Sequence, residues 1–209
     1  MKRYWRSWGN VAAVLVAGCA PAHIALAQEG ELPPAGFGSL RQDQVGVRFA
    51  TQAIAVRLIP LDEGVTRLMA PDAYRSLREL RTSRSAEIGA AARQGGFDSV
   101  ATFMVTFYGL QPSVRFNPDQ LYISSQNVTY RPIGIVPVTP RWSENLIEQG
   151  QQAAAIYLFE PGIRVLQPFT VYYGTQGSEA WSESLRLLNT ERARVLARAQ
   201  QQQPPPPQP

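Results

Sequence analysis

The 209-residue chain contains one histidine, one cysteine and one lysine. All three, His23, Cys19 and Lys2, lie in or beside the N-terminal leader. The rest of the chain therefore has no histidine general base, thiolate nucleophile, Schiff-base lysine or Ser–Lys dyad. Arginine does not fill these roles, because it stays protonated. The usual zinc, haem and iron–sulfur sites lose their ligands as well, so no cofactor is expected. A phosphate-cradling loop is also missing: "GFGSLR" at Gly36–Arg41 lacks the later glycine and the preceding strand. Long apolar runs are scarce. The best, from Val11 to Ala27, is 17 residues broken by Pro21 and His23, against the roughly 20 that a membrane span needs.

Charge of one sign is lacking too. The formal +4 owes three charges to Lys2, Arg3 and Arg6. Without them, 17 arginines face 16 acids, a balance of +1, and most of these arginines alternate with acids, as in "RSLRELRTSRSAE". Nucleic-acid binding is not expected. Carboxylates remain. The pairs Asp62–Glu63 and Asn117–Asp119 have calcium-ligating types, yet beside Gly or Pro they read first as turns. No spacing selects a catalytic pair, so a carboxylate-dependent hydrolase ranks last among three functional expectations.

What is present begins with a secretory leader: a basic start, an apolar stretch from Val11, then small residues. Val16-Ala17-Gly18-Cys19 resembles the lipobox of bacterial lipoprotein precursors, a branched apolar residue and two small residues before a lipidated cysteine. The resemblance implies a signal peptide over 1–18 and lipid at Cys19, with at least the two chains that stable anchoring requires. Ala20 is not the aspartate linked to inner-membrane retention, which implies the outer membrane, facing the periplasm or the outside. The rival cut follows Ala25-Leu26-Ala27, giving a leader of 1–27 and a soluble periplasmic or secreted chain.

Residues 19–42 read as a flexible tether, Gly- and Pro-rich from 28. A β domain is predicted over 43–177, with a helical excursion at 71–94. Strand patterns occur at Val45–Ile59, Val100–Tyr108, Val114–Phe116 and Leu121–Ser124. Val128–Val138 carries Pro132 and Pro137 and should be an edge or bulged strand. "QAAAIYLFE" and "IRVLQPFTVYY", around Pro161-Gly162, read as a hairpin. Pro71 suits the first turn of the excursion, "TSRS" at Thr82–Ser85 weakens its middle, and Gly95-Gly96 ends it. The spacing of Trp181, Leu185, Leu188, Val195 and Leu196 predicts an amphipathic helix over 178–200 that Ser178 can cap. Residues 201–209 form a Gln/Pro tail without apolar surface to bury.

The strand rhythm from Asp119 to Tyr173 resembles the immunoglobulin-like sandwiches of bacterial envelope lipoproteins. It implies a mainly β, antiparallel sandwich with a helical excursion and a C-terminal helix. The alternative is an α+β domain with both helices on one face of a single sheet. Six tyrosines, Tyr108, Tyr122, Tyr130, Tyr157, Tyr172 and Tyr173, suit either sheet packing or a ligand platform. Trp142 in the "TPRWSEN" loop, Tyr130 and Trp181 are the candidate binding residues. The leading expectation is a non-enzymatic envelope lipoprotein that binds a protein partner. A carbohydrate- or peptidoglycan-binding module is second.

Overall fold

The computed structural model describes residues 32–202. The leader, Cys19, the first part of the expected tether and the tail from Gln203 lie outside the described residues. The strands are β1 (Val47–Ala50), β2 (Ile54–Pro60), β3 (Ala101–Gly109), β4 (Val114–Arg115), β5 (Leu121–Ser125) and β6 (Val128–Tyr130). They continue as β7 (Gly134–Pro137), β8 (Leu146–Ile147), β9 (Gln152–Phe159), β10 (Thr170–Tyr173) and β11 (Gln176–Ser178). The helices are α1 (Glu63–Thr66), α2 (Pro71–Ser83), α3 (Ser85–Gln94) and α4 (Trp181–Gln202). The strands pair antiparallel in three sheets: β1-β2-β3-β9-β7, β11-β10-β5-β6, and β4 with β8.

Period-two alternation gives the five-stranded sheet its two faces. On β3, Phe103, Val105 and Phe107 are fully buried on the inner face, while Met104 and Tyr108 are half-buried on the outer one. Ring contacts join this inner face to the four-stranded sheet. Phe103 meets Phe169 edge-on at 6.0 Å, and Phe107 meets Tyr173 at 5.3 Å between ring centroids. The result is a mainly β, antiparallel, sandwich-like domain. Such aromatic pairs add about 0.5–1.5 kcal/mol each beyond the area they bury.

The helical excursion is two helices, broken at Arg84 inside the "TSRS" stretch. Helix α3 lies against β7 and β9. There a Cβ at Gly134 would sit 3.1 Å from the Ala91 methyl, so the missing side chain lets the helix pack closely on the sheet. Helix α4 docks elsewhere. Its buried stripe of Trp181, Leu185, Leu188 and Val195 recurs at helical spacing. Trp181 is 0 % exposed, stacks on Phe169 at 4.9 Å and donates its Nε1–H to the Val165 carbonyl at 2.9 Å. Ser184 Oγ accepts from the Gly46 N–H at 3.3 Å and donates to the Gly46 carbonyl at 3.3 Å.

Several expectations need correction. The α+β alternative falls, because two sheets face each other and the helices dock at different places. The proposed hairpin around Pro161-Gly162 does not form: β9 pairs with β3 and β7, whereas β10 pairs with β5 and β11. The connection between them crosses from one sheet to the other. Val128–Val138 is two strands, split at Arg131–Ile133, and each is the edge of a different sheet. Helix α4 starts at Trp181, because Gln176–Ser178 belongs to β11.

The tether also stops sooner than residue 42. Pro33, Gly38 and Leu40 are buried, and Leu40 bridges to Met69. A Cβ on Gly38 would lie 2.3 Å from the Leu68 and Met69 backbone, so only glycine allows this approach. Opposite, Glu191 of α4 is 1 % exposed. Its Oε1 accepts from the Ser39 N–H at 2.9 Å, from Ser39 Oγ at 2.7 Å and from Arg198 Nη2 at 3.0 Å. Arg198 also donates to the Phe37 carbonyl. A buried carboxylate held by three donors clasps the first described segment to the last helix.

Candidate binding surface

The outer face of the four-stranded sheet follows from alternation in two short strands. In β5, "LYISS", Leu121, Ile123 and Ser125 are buried and Tyr122 points outward. In β10, "TVYY", Val171 and Tyr173 are buried and Tyr172 points outward. The register places Tyr172 opposite Tyr122 on one side and Gly177 on the other. The two phenol rings stack at 4.8 Å with an interplanar angle of 6°. The Arg131 guanidinium, just past β6, lies 5.5 Å above the Tyr122 ring. A Cβ at Gly177 would fall 2.6 Å from the Tyr172 ring, so the bare backbone lets the ring lie flat there.

Gly177, Tyr172, Tyr122 and Arg131 thus form one row across the sheet. The next row, Thr170, Ser124 and Thr129, is paired across the same strands and carries only hydroxyls. Within the first row each tyrosine ring covers one face of the other, and Arg131 lies over the second face of Tyr122. The row offers a ligand ring edges, phenol hydroxyls and the guanidinium. The stacked pair contributes about 0.5–1.5 kcal/mol and an exposed cation–π contact about 0.5–1 kcal/mol. The row is therefore held in place before anything binds.

The residues singled out from the sequence are scattered. Trp142 is only 6 % exposed; it lies 5.1 Å from Phe116, 5.9 Å from Phe107 and 6.1 Å from Tyr157, centroid to centroid. The loop tryptophan expected to face a ligand fills one end of the core instead. Trp181 is also a core residue, under α4. Tyr130 is half-buried against the core, with its hydroxyl beside Gly162. Cys19 lies outside the described residues. Among the other tyrosines, Tyr157 is buried and donates to the Pro118 carbonyl at 3.1 Å; burial raises its pKa. Tyr173 accepts from the Asn117 N–H at 3.0 Å and is likewise raised by burial.

The two carboxylate turns have local work. Asp62 Oδ1 accepts from the Gly64 N–H at 2.7 Å and caps α1. Asn117 Oδ1 accepts from the Asp119 N–H at 3.0 Å. Glu63 Oε2 takes Arg67 Nε at 2.5 Å and the Tyr74 hydroxyl at 3.1 Å. Burial pushes the Glu63 carboxyl up, but the bonds from Arg67 and Tyr74 outweigh it and hold it below its ordinary value. Among the described residues, no three His, Cys, Asp or Glu side chains group as metal ligands.

Two residues of the row, Arg131 and Gly177, escaped the sequence reading. The signal for the tyrosines was there: "LYI" and "VYY" each place one tyrosine out of phase with its buried neighbours. Arg131 and Gly177 become neighbours only through pairing register, which the sequence does not display. The fold and this face define a mainly antiparallel β module with a preassembled Tyr–Arg surface. Compared with protein-family models, with characterised proteins and with solved structures, the chain matches none.

Proposed function

We propose that this chain is a non-enzymatic accessory module of a bacterial cell envelope, lipid-anchored at Cys19, that binds a protein partner through the Tyr122–Tyr172–Arg131 face. The single observation that carries the binding mode is the Tyr122–Tyr172 stack with Arg131 over it. A sugar ring stacks on an open aromatic face, and here each ring takes one face of the other while Arg131 lies over the second face of Tyr122. Ring edges, hydroxyls and a guanidinium suit the hydrogen-bonding and packing surface of a protein, and Tyr and Arg are the residue types that concentrate binding energy at such interfaces.

The lipobox-like Val16–Cys19 supports the anchor and an outer-membrane address, and the paired antiparallel sheets support an immunoglobulin-like reading of the domain. The accessory role rests on the sequence from Ile24 onward, which lacks His, Cys and Lys.

Two measurements test this. Intact-mass analysis of the membrane fraction should find lipid on a chain starting at Cys19; a lipid-free chain starting at Gln28 would establish the soluble form instead. Separately, a photo-crosslinking residue at position 172 should capture one envelope protein, and Tyr122→Ser with Tyr172→Ser should abolish its co-purification. Sedimentation with peptidoglycan that survives free of other proteins and is lost in the same double variant would replace the protein partner with a glycan.

A further inference from the structure

A second surface lies on the other sheet and is independent of the Tyr–Arg row. On the outer face of β1 and β2, Arg48 and Arg57 are direct cross-strand partners. Like charges placed opposite one another on neighbouring strands destabilise a sheet. Among the described residues neither arginine has an acid within ion-pair distance; the nearby Asp43 is already held by Arg41 at 3.0 Å. Arg57 is half-buried. It donates through Nη2 to the Gln42 carbonyl, while its Nε is buried without an acceptor. Burial first, and then the charge of Arg48, pull its pKa down, against a hydrogen bond with Tyr108 that only partly offsets them. Two cations thus share one spot, under-satisfied, beside a shallow cup of ≈510 Å³ whose remaining walls include Phe49, Ala50, Ala55 and Tyr108.

We infer that Arg48 and Arg57 form a binding site for a small ligand that joins one oxyanion, a carboxylate or a phosphate monoester, to an apolar body. Paired guanidinium forks match the planar oxygens of such groups. One bound negative charge attracts both guanidiniums and so offsets the Arg48–Arg57 repulsion. The alanines leave room in the cup, and the Tyr108 ring, paired with Ala55 on the same outer face, supplies aromatic wall for the rest of the ligand. The volume falls within the range of small-molecule sites.

Calorimetric titration of the purified full chain tests the site with 4-phenylbutyrate, phenyl phosphate and the uncharged 4-phenylbutan-1-ol as probes. At least one anion should bind saturably and the alcohol at least about tenfold more weakly, because the guanidinium pair supplies the selectivity. Whichever anion binds more tightly identifies the oxyanion. Arg48→Gln should weaken that anion about tenfold or more, whereas Arg115→Gln on β4 should leave it unchanged. Arg48 is exposed, so this variant keeps the fold. Its melting midpoint without ligand should equal or exceed that of the parent, since it removes the like-charge contact; a residue present for stability would show the reverse. The site is overturned if neither anion gives saturable binding up to about 10 mM, if the alcohol binds as tightly, or if Arg48→Gln binds like the parent.

Discussion

At the scale of single residues, Trp142 and Trp181, the two tryptophans among the described residues, show what side-chain identity does and does not reveal. Trp181 sits on a helical stripe, and its burial under α4 follows from that spacing. Trp142 sits among prolines and polar residues, and nothing local says that its loop turns inward onto Phe107 and Phe116. Removing the Trp181 indole leaves a cavity and an orphaned Val165 carbonyl, so Trp181→Ala should lower unfolding free energy by about 3–5 kcal/mol in urea titrations. A helix that swings free would show no loss. Glu63 gives a pH test. Its carboxyl is held below the ordinary value of 4.5, so its contribution is complete above that pH and fades as pH falls through the lower, folded-state value. Glu63→Gln should therefore narrow its stability gap to the parent in acid, measured by thermal melts across that window.

At the scale of elements, alternation and helical spacing revealed most strands and both long helical regions, because those patterns are local. Partner choice was not legible. The Pro-Gly between β9 and β10 suggested a tight turn, yet each strand finds its partner in a different sheet, where the inward Tyr157 and Phe159 or Tyr173 can reach the shared core. Similarly, "GFGSL" looked like tether because its apolar content is low. It is ordered by contacts from afar: the bare Cα of Gly38 against Leu68–Met69 and the Ser39 bonds to Glu191. The places of Arg131 and Gly177 in the row were unreadable for the same reason. Hydrogen exchange should show the Ser39 amide protected together with the α4 core, and Glu191→Ala should release it. Because that change leaves the Ser39 N–H and hydroxyl without their acceptor, it should also cost about 1–3 kcal/mol by urea unfolding.

At the scale of the whole molecule, the two sheets have no separate cores. Phe107 touches Tyr173, and Phe103 touches Phe169, which in turn carries Trp181. Loss of either sheet strips the other of its inner face, so unfolding should be one transition. Trp142 and Trp181 report from different parts of this core. In a chain that begins at Gln28, Trp142→Phe and Trp181→Phe each leave one tryptophan, and in each variant the fluorescence and far-ultraviolet dichroism midpoints should coincide. Midpoints that separate would mean the parts unfold independently.

The clasp at Glu191 has a topological consequence. Arg198 reaches the Phe37 carbonyl, and α4 ends at Gln202, four positions and about 6 Å of helix further on. The segment that opens the ordered domain therefore lies beside the one that closes it. Joining them with a short glycine–serine linker and opening the chain after Gly96, an exposed glycine at φ +81° between α3 and β3, gives a circular permutant. Exposed loop tips of this kind tolerate new termini. The permutant retains both sheets, the clasp and both arginine-bearing faces, while its free ends move to the α3–β3 loop. A lipid or a label attached there would present these faces to a membrane or a partner in an orientation the natural chain order does not allow.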